Sequence, residues 1–167
     1  MARAPALLGE LLAARTAEAA LETEALALQH LRYLAHLRTQ AGLAAGDRRR
    51  VDEAIAGCLA CRSLEVRGRA VALLADQPLL LGPALAKLLA GGLSQEESAQ
   101  ADSLVQAYLD VLARMESAAG QGEAYGAEVR ARFGGRHPYD ALGAAIATAP
   151  VETKGKVVRF LRGRDAD

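Results

Sequence analysis

The chain has 167 residues, in which 20 lysines and arginines balance 20 aspartates and glutamates, and only 4% of the residues are aromatic. A zero net charge gives no overall field that would draw the protein to nucleic acid or to a membrane surface. Alanine and leucine, which favour helices, are the commonest residues, whereas the residues that favour strands are scarce. The composition therefore predicts an all-α protein whose core is built from small side chains.

The start of the chain lacks the features of a targeting segment. Glu10 interrupts the first apolar stretch, no secretory cleavage pattern follows, and no uncharged run reaches the ~18 residues that a membrane-spanning helix needs. We therefore expect a cytoplasmic protein that does not contact a membrane.

The first predicted helix runs from Pro5, a residue type favoured in the first turn, to about Gln40. Apolar residues recur along it at steps of three and four, as they do on the buried side of a helix. Gly42 and Gly46 end this helix, and Asp47 is placed to cap the next one.

The second predicted helix runs from Arg48 to about Asp76, and Pro78 follows it. Apolar residues keep the helical spacing along this segment, so we predict one unbroken helix. Residues 79–90 are mostly apolar and predict a short helix after it.

The third predicted helix contains the longest apolar stripe of the chain, from Ala101 to Phe133, with alternating steps of four and three residues. The segment includes Gly120, Gly122 and Gly126. Because the stripe keeps its register across all three, we interpret the segment as one continuous helix. The two glycines on the stripe, Gly122 and Gly126, are then positions where another backbone packs closely.

Three long helices joined by short connections favour an antiparallel helical bundle. After the third helix, Pro138 begins a predicted short helix and Pro150 ends it. We therefore predict an all-α fold in one structural domain, with the bundle over residues 1–133 and the short helix and a basic-apolar tail over residues 134–167.

The candidate chemical motifs are weak. Cys58 and Cys61 form a CxxC pair, but they lie inside a predicted helix, and zinc would need two more ligands. His30 and His36 are six residues apart and therefore point about 240° apart around a helix. The glycines near residue 122 follow no strand, as a dinucleotide-binding loop would. We predict no catalytic residue, no metal site and no cofactor, and we do not expect an enzyme.

The C-terminal segment has the strongest features of a binding surface. Five basic residues between Lys154 and Arg164 are interleaved with apolar ones after Pro150, a pattern typical of a segment that orders on a partner. The residues that we expect to bind a partner are Tyr139, Leu142, Ile146, Val157, Val158, Phe160 and Leu161. The alternative, a terminal element that packs on its own bundle, stays open.

The order of several features resembles that of FlgN-type flagellar export chaperones. These features are a long first helix, the junction Ala44-Ala45-Gly46-Asp47, a second helix with Arg67-Gly68-Arg69-Ala70 near its end, and Tyr139-Asp140-Ala141-Leu142-Gly143 after a long late helix. The last motif is similar to the Tyr-x-x-x-Gly of the family. The resemblance implies that the C-terminal part, Tyr139–Leu161, binds hook-associated export clients. The chain departs from the family pattern because its late helix lacks asparagines and residues 79–90 add a helix.

Taken together, these features predict a non-catalytic helical-bundle interaction protein, such as a small export or assembly chaperone, that binds a partner protein or a second copy of itself. The alternative is a nucleic-acid-associated subunit in which Arg48–Arg50 and the basic tail contact phosphates, so that binding would weaken with salt. A ligand pocket between helices is a third hypothesis that the sequence leaves open.

Overall fold

The structure is a computed structural model that describes residues 24–91, 98–118 and 122–163. Within these ranges all regular structure is helical, which confirms the predicted all-α class. The α-helices of these ranges are α1 (Glu24–Arg38), α2 (Ala45–Gly57), α3 (Leu64–Leu73), α4 (Pro78–Ala90), α5 (Ser98–Ser117), α6 (Glu123–Arg132), α7 (Asp140–Thr148) and α8 (Val151–Arg162). In this described part of the chain, no helix combines the length and the apolar character needed to cross a bilayer.

The chain divides into two compact units, Met1–Asp76 and Gln77–Asp167. Helices α1 to α3 belong to the first unit and α4 to α8 belong to the second. The predicted division at residue 133 falls inside the second unit, because α7 and α8, which follow that residue, pack against α4 and α5. The predicted first helix agrees with α1 at its C-terminal end, and its residues 5–23 lie outside the described ranges.

Arg38, the last residue of α1, joins three segments of the first unit. Its Nε donates a hydrogen bond to Asp52 Oδ1 at 2.7 Å, and its Nη2 donates to both carboxylate oxygens of Asp76 at 2.6 and 2.8 Å. Because Asp52 is only 6% exposed, its carboxylate requires such a charged donor. One guanidinium group therefore connects the end of α1 to α2 and to Asp76, three residues beyond the end of α3.

The second predicted helix is interrupted near its centre. Helix α2 ends at Gly57, a 3-10 turn covers Cys58–Ala60, and Cys61 has an extended backbone. Ser63 then caps α3, because its Oγ accepts a hydrogen bond from the Val66 N–H at 3.4 Å. The prediction of one unbroken helix is wrong here, since apolar spacing does not reveal that a serine caps a new helix.

Arg67 stabilises this interruption from inside the first unit. It is 2% exposed, and its Nε donates a hydrogen bond to the Leu59 carbonyl oxygen at 3.1 Å. A buried carbonyl in a 3-10 turn needs a donor, and the guanidinium group supplies one. The arginine that belongs to a predicted family motif is thus a core residue of this unit.

The long apolar stripe does not form one continuous helix. Helix α5 ends at Ser117 and α6 begins at Glu123, and Gly122 between them has a φ of 98°, which lies in the left-handed region. A Cβ added at Gly122 or Gly126 would meet no atom of the described residues within 4 Å, so within these ranges no other backbone packs closely at the two glycines, contrary to the prediction. The stripe is buried along α5, whereas α6 has no buried residue.

Close packing through a glycine occurs instead at Gly82 in α4. A Cβ added there would lie 3.1 Å from Phe133 Cζ, 3.1 Å from Val111 Cγ1 and 3.4 Å from Met115 Sδ. Helix α4 therefore contacts α5 and the end of α6 without a side chain of its own between them. This contact is an instance of the small-residue packing that the composition predicts.

Gly82→Val should lower the free energy of unfolding by about 1–3 kcal/mol, because the added methyl groups would overlap Phe133 and Val111. The matched control is Gly143→Val in α7 of the same unit, where an added Cβ meets no atom within 4 Å and the change should stay within about 0.5 kcal/mol. Urea titration followed by circular dichroism measures both effects. Equal losses in the two variants would contradict a close approach at Gly82.

Candidate functional site

Two of the predicted partner-binding residues are core residues of the second unit. Leu142 in α7 and Val157 in α8 expose only 2% and 1% of their surface. Helix α8 begins directly after Pro150 and packs against α5 and α7. Residues 151–162 of the basic-apolar tail therefore form a helix that packs within the second unit, and Leu142 and Val157 are buried there.

The remaining predicted residues keep part of their surface exposed. Val158 is 41% exposed, and the others are half-buried: Tyr139, Ile146, Phe160 and Leu161. The Tyr139 ring lies 6.4 Å from the Phe160 ring in an edge-on arrangement and 5.0 Å from the His137 ring. The contact between Tyr139 and Phe160 thus brings the start of α7 close to the end of α8, so predicted residues from both segments lie near one another.

Polar contacts from α5 hold α8 in place. Asp102 Oδ1 accepts a hydrogen bond from the Thr153 hydroxyl at 3.1 Å, and Asp102 Oδ2 accepts one from Lys156 Nζ at 2.5 Å. The hydrogen bond from Lys156 is the largest influence on Asp102, and with the bond from Thr153 it holds the pKa of this carboxyl below its usual value. Because Thr153 is 1% exposed, its hydroxyl depends on this carboxylate for a partner.

The opposite side of α8 faces solvent and carries two apolar side chains, Val151 and Val158, together with Gly155 and Arg162. We call these four residues the outer stripe of α8. Val151 is 79% exposed and Val158 is 41% exposed, and Gly155 and Arg162 are also exposed. Steps of four, three and four residues place the four positions on one side of the helix. The sequence prediction missed Val151, although its spacing to Val158 indicates the same side.

A second surface feature is an open cleft of about 520 Å³ in the second unit. It lies between α4, α7 and the segment that joins α6 to α7. Small and apolar residues form much of its lining: Pro83, Ala86, Ala90, Phe133, Gly134, Pro138, Ala141 and Ala144. Its charged and titratable residues are Lys87, Arg132, Arg136, His137 and Asp140. None of the seven predicted residues lines this cleft, although Tyr139 lies between two residues that do.

The end of α6 gives the cleft its shape. Gly134 has a φ of 62° and donates its N–H to the Ala131 carbonyl at 3.1 Å, while Gly135 has a φ of 79° and donates to the Arg130 carbonyl at 2.9 Å. This pair of bonds is the Schellman arrangement, which requires a left-handed residue directly after the helix. The chain therefore turns sharply after Phe133 and continues towards α7.

Tyr108 of α5 fixes the segment that follows this turn. Its hydroxyl donates a hydrogen bond to the Pro138 carbonyl at 2.5 Å, and the residue is fully buried. Burial, and secondarily the charge of Asp140, raise the pKa of Tyr108, so the hydroxyl stays protonated and remains a donor. The Oδ2 atom of Asp140 in turn accepts a hydrogen bond from the backbone N–H of His137 at 3.0 Å, which closes the turn before α7.

The cleft carries more positive than negative charge. Three cationic side chains, Lys87, Arg132 and Arg136, line it together with the carboxylate of Asp140. Arg132 lies 3.5 Å from Glu128 one turn earlier in α6. Within the described ranges, neither Lys87 nor Arg136 forms an ion pair. Among the residues that the structure describes, these two cations of the cleft therefore have no acidic partner.

The arginines proposed to contact phosphates lie in the first unit. Arg49 pairs with Glu53 at 2.9 Å, and Arg50 lies 4.0 Å from Asp47, both within α2. Arg48 is exposed beside them. Because acids of the same helix accompany two of the three cations, this cluster resembles an ordinary solvated helix surface.

The cysteines lack the environment of a reactive site. Cys58 and Cys61 are 6% and 5% exposed, and neither forms a disulfide. Burial, and secondarily the charge of Cys61, raise the pKa of Cys58 to about 11, which disfavours the reactive thiolate. Among the described residues, no group of three or more histidine, cysteine and acidic side chains is placed to hold a metal ion.

Tyr108→Phe should destabilise the protein by about 0.5–1.5 kcal/mol, because the Pro138 carbonyl loses its donor while the packing of the ring is retained. Tyr33→Phe in α1 is the matched control: Tyr33 is half-buried and its hydroxyl forms no hydrogen bond with the described residues, so its substitution should leave stability nearly unchanged. Amide hydrogen exchange should show faster exchange in residues 134–140 of the first variant alone. Unchanged exchange there would contradict the role assigned to Tyr108.

Asp102→Asn should weaken the attachment of α8 at neutral pH, by about 1 kcal/mol or less because the ion pair is partly exposed. The pKa of Asp102 is lowered in the folded protein, so its contribution is present above the unfolded pKa of about 3.9 and is lost as the pH falls through the folded value. The difference in unfolding free energy between the two proteins should therefore shrink below pH 4. A difference that is constant from pH 7 to pH 3 would contradict this assignment.

Comparison of the chain with protein-family models, with curated proteins and with solved structures finds no match. The resemblance to FlgN-type chaperones therefore depends on the sequence motifs alone. In the structure, residues 44–47 lie at the start of α2, residues 67–70 lie in α3, and residues 139–143 lie at the start of α7.

Proposed function

We propose that this chain is a non-catalytic interaction protein that binds a partner protein through the outer stripe of α8. The observation that carries this proposal is the exposure of Val151 and Val158 on a helix whose other side is fixed by Thr153 and Val157 in the core. Exposed apolar side chains are common singly, but aligned ones beside basic residues are typical of a surface that a partner covers.

Partly exposed residues elsewhere on α8 add to the accessible apolar surface of this helix. Leu161, three residues after Val158, flanks the outer stripe, whereas Phe160, nine residues after Val151, lies on the opposite side of α8 and contacts Tyr139 at the start of α7. Aromatic residues with one accessible edge are frequent anchors in interfaces because they offer a large apolar area with few rotatable bonds. Together with Val158 they provide apolar area, and the exposed Arg159 and Arg162 of the same helix provide positive charge.

Within this class, we assign the protein the role of a small export or assembly chaperone in the cytoplasm. The FlgN-type motifs support this assignment, and the client-binding part that the resemblance implies, Tyr139–Leu161, contains both the aromatic pair and most of the outer stripe. No cofactor is needed for such a role. The binding energy comes from buried apolar area and from complementary charge.

The test is site-specific photo-crosslinking of the full-length chain in cells that produce it naturally. A photoreactive phenylalanine derivative at Val158 should crosslink to one discrete partner, because Val158 lies within the proposed surface. The matched control is the same derivative at Leu64 in α3, which is 48% exposed but lies in the first unit, and it should give no product.

With the partner identified and purified, Val158→Asp should weaken binding at least about tenfold, since burying a valine is worth about 1.5 kcal/mol or more. Leu64→Asp should leave the affinity unchanged. Equal crosslinking at both positions, or none at Val158, would contradict the proposal. A crosslinked product that joins two copies of this chain would show that the partner is a second copy of the protein. Salt-sensitive binding to an oligonucleotide that depends on Arg48–Arg50 would favour the nucleic-acid alternative.

A further inference from the structure

We propose that the cleft between α4 and α7 receives an acidic amphipathic helix of a partner protein, anchored by large apolar side chains. This inference rests on the proposed function, because it presumes that the second unit binds a protein. It adds a second contact, distinct from the outer stripe of α8, and it names the chemistry of the segment that fills the cleft.

The shape of the cleft favours a helix as its occupant. Along α4, Pro83, Ala86, Lys87 and Ala90 lie at successive steps of three, one and three residues and so share one side of the helix. Ala144, one turn into α7, faces them across the cleft. Two helix surfaces lined by such small residues leave room for a third helix, whose apolar side chains enter the groove between them.

The lining of the cleft requires apolar anchors from this helix. Phe133 is half-buried, with its ring tip against Gly82, and the alanines around it offer apolar area but fill little volume. A cleft of about 520 Å³ is large enough to take more than one leucine-sized side chain. Small walls with an aromatic residue at one end are therefore complementary to large aliphatic or aromatic side chains.

The charges around the cleft require acidic residues beside those anchors. Lys87 and Arg136 are exposed and form no ion pair within the described ranges, and Arg132 adds a third cation. The opposing carboxylate, Asp140, already accepts the His137 N–H. Glutamates or aspartates that flank the apolar anchors would complete these ion pairs, and complementary charge would also select against basic segments.

A nucleic acid is a poorer occupant of the same cleft. Its phosphates would match Lys87 and Arg136, but the apolar walls would stay unpaired and the Asp140 carboxylate would repel the backbone. Single-stranded nucleic acids also bind by stacking on aromatic side chains, and the one aromatic ring of the cleft lining apart from His137, that of Phe133, is packed against α4.

The test is fluorescence anisotropy with the full-length chain and defined probes. The main probe is a fluorescein-labelled helical peptide of about 16 residues, with leucines at steps of three and four and glutamates elsewhere. Matched probes replace the glutamates by lysines or the leucines by alanines, and a single-stranded oligodeoxynucleotide is the fourth. The glutamate–leucine peptide should bind, its affinity should fall as salt is added, and the other three should bind at least tenfold more weakly.

Two variants locate the binding site. Arg136→Glu reverses a charge of the cleft and Ala86→Phe fills its wall, and each should raise the Kd of the glutamate–leucine peptide at least tenfold. The matched control is Arg48→Glu, an exposed charge reversal in the first unit, which should change the Kd less than twofold. Thermal unfolding by circular dichroism identifies a variant that fails to fold, and the other variant then decides the location.

Several results would overturn the inference. These are no binding of the glutamate–leucine peptide at low salt, binding that both cleft variants retain, or equally tight binding of the lysine peptide or the oligonucleotide. The proposed function and the cleft assignment are tested by different results. If Val158 still crosslinks to its partner while the peptide does not bind the cleft, only the cleft assignment is lost. If the peptide binds and Val158 gives no product, the outer stripe is lost and the cleft remains.

Discussion

The contact between Phe133 and Gly82 is the constraint on which the second unit depends. Because α4 has no side chain at Gly82, the Phe133 ring reaches the helix itself, and the end of α6 is held against α4. The left-handed turn at Gly134 then leads the chain away from that contact, and Tyr108 fixes it again at Pro138. The cleft lies beside these two fixed points, so its shape depends on both contacts.

Much of the local burial could be predicted from the sequence, whereas the ends of the helices could not. Ala101, Tyr108 and Met115 follow helical spacing and are all buried in α5. Apolar spacing records only which positions are small or apolar, so Gly122 fits the stripe although its positive φ ends the helical path. A serine at position 63 is also compatible with the exposed surface of a continuous helix. Its role as an N-cap arises only because the preceding helix ends before it.

The candidate site shows the same limit at longer range. Helix α8 has apolar residues on two sides, and the side with Thr153 and Val157 is buried; the hydrogen bond of Thr153 there is made with Asp102, which lies 51 residues earlier in the chain. The sequence pattern therefore predicted both Val157 and Val158 as partner-binding residues, although only Val158 is exposed to solvent. The cleft is formed by one side of α4 and by residues that follow α6, about 45 residues later in the chain. No pattern within either segment indicates that the two lie side by side.

The burial of both cysteines provides an internal reporter of folding. Cys58 and Cys61 are the two cysteines of the chain, and both lie in the first unit. Burial raises the pKa of Cys58 to about 11, so alkylating reagents react readily only when that unit opens. The rate of thiol alkylation consequently follows the opening of the first unit alone. A ligand bound to the second unit will slow that reaction only to the extent that the two units unfold as one.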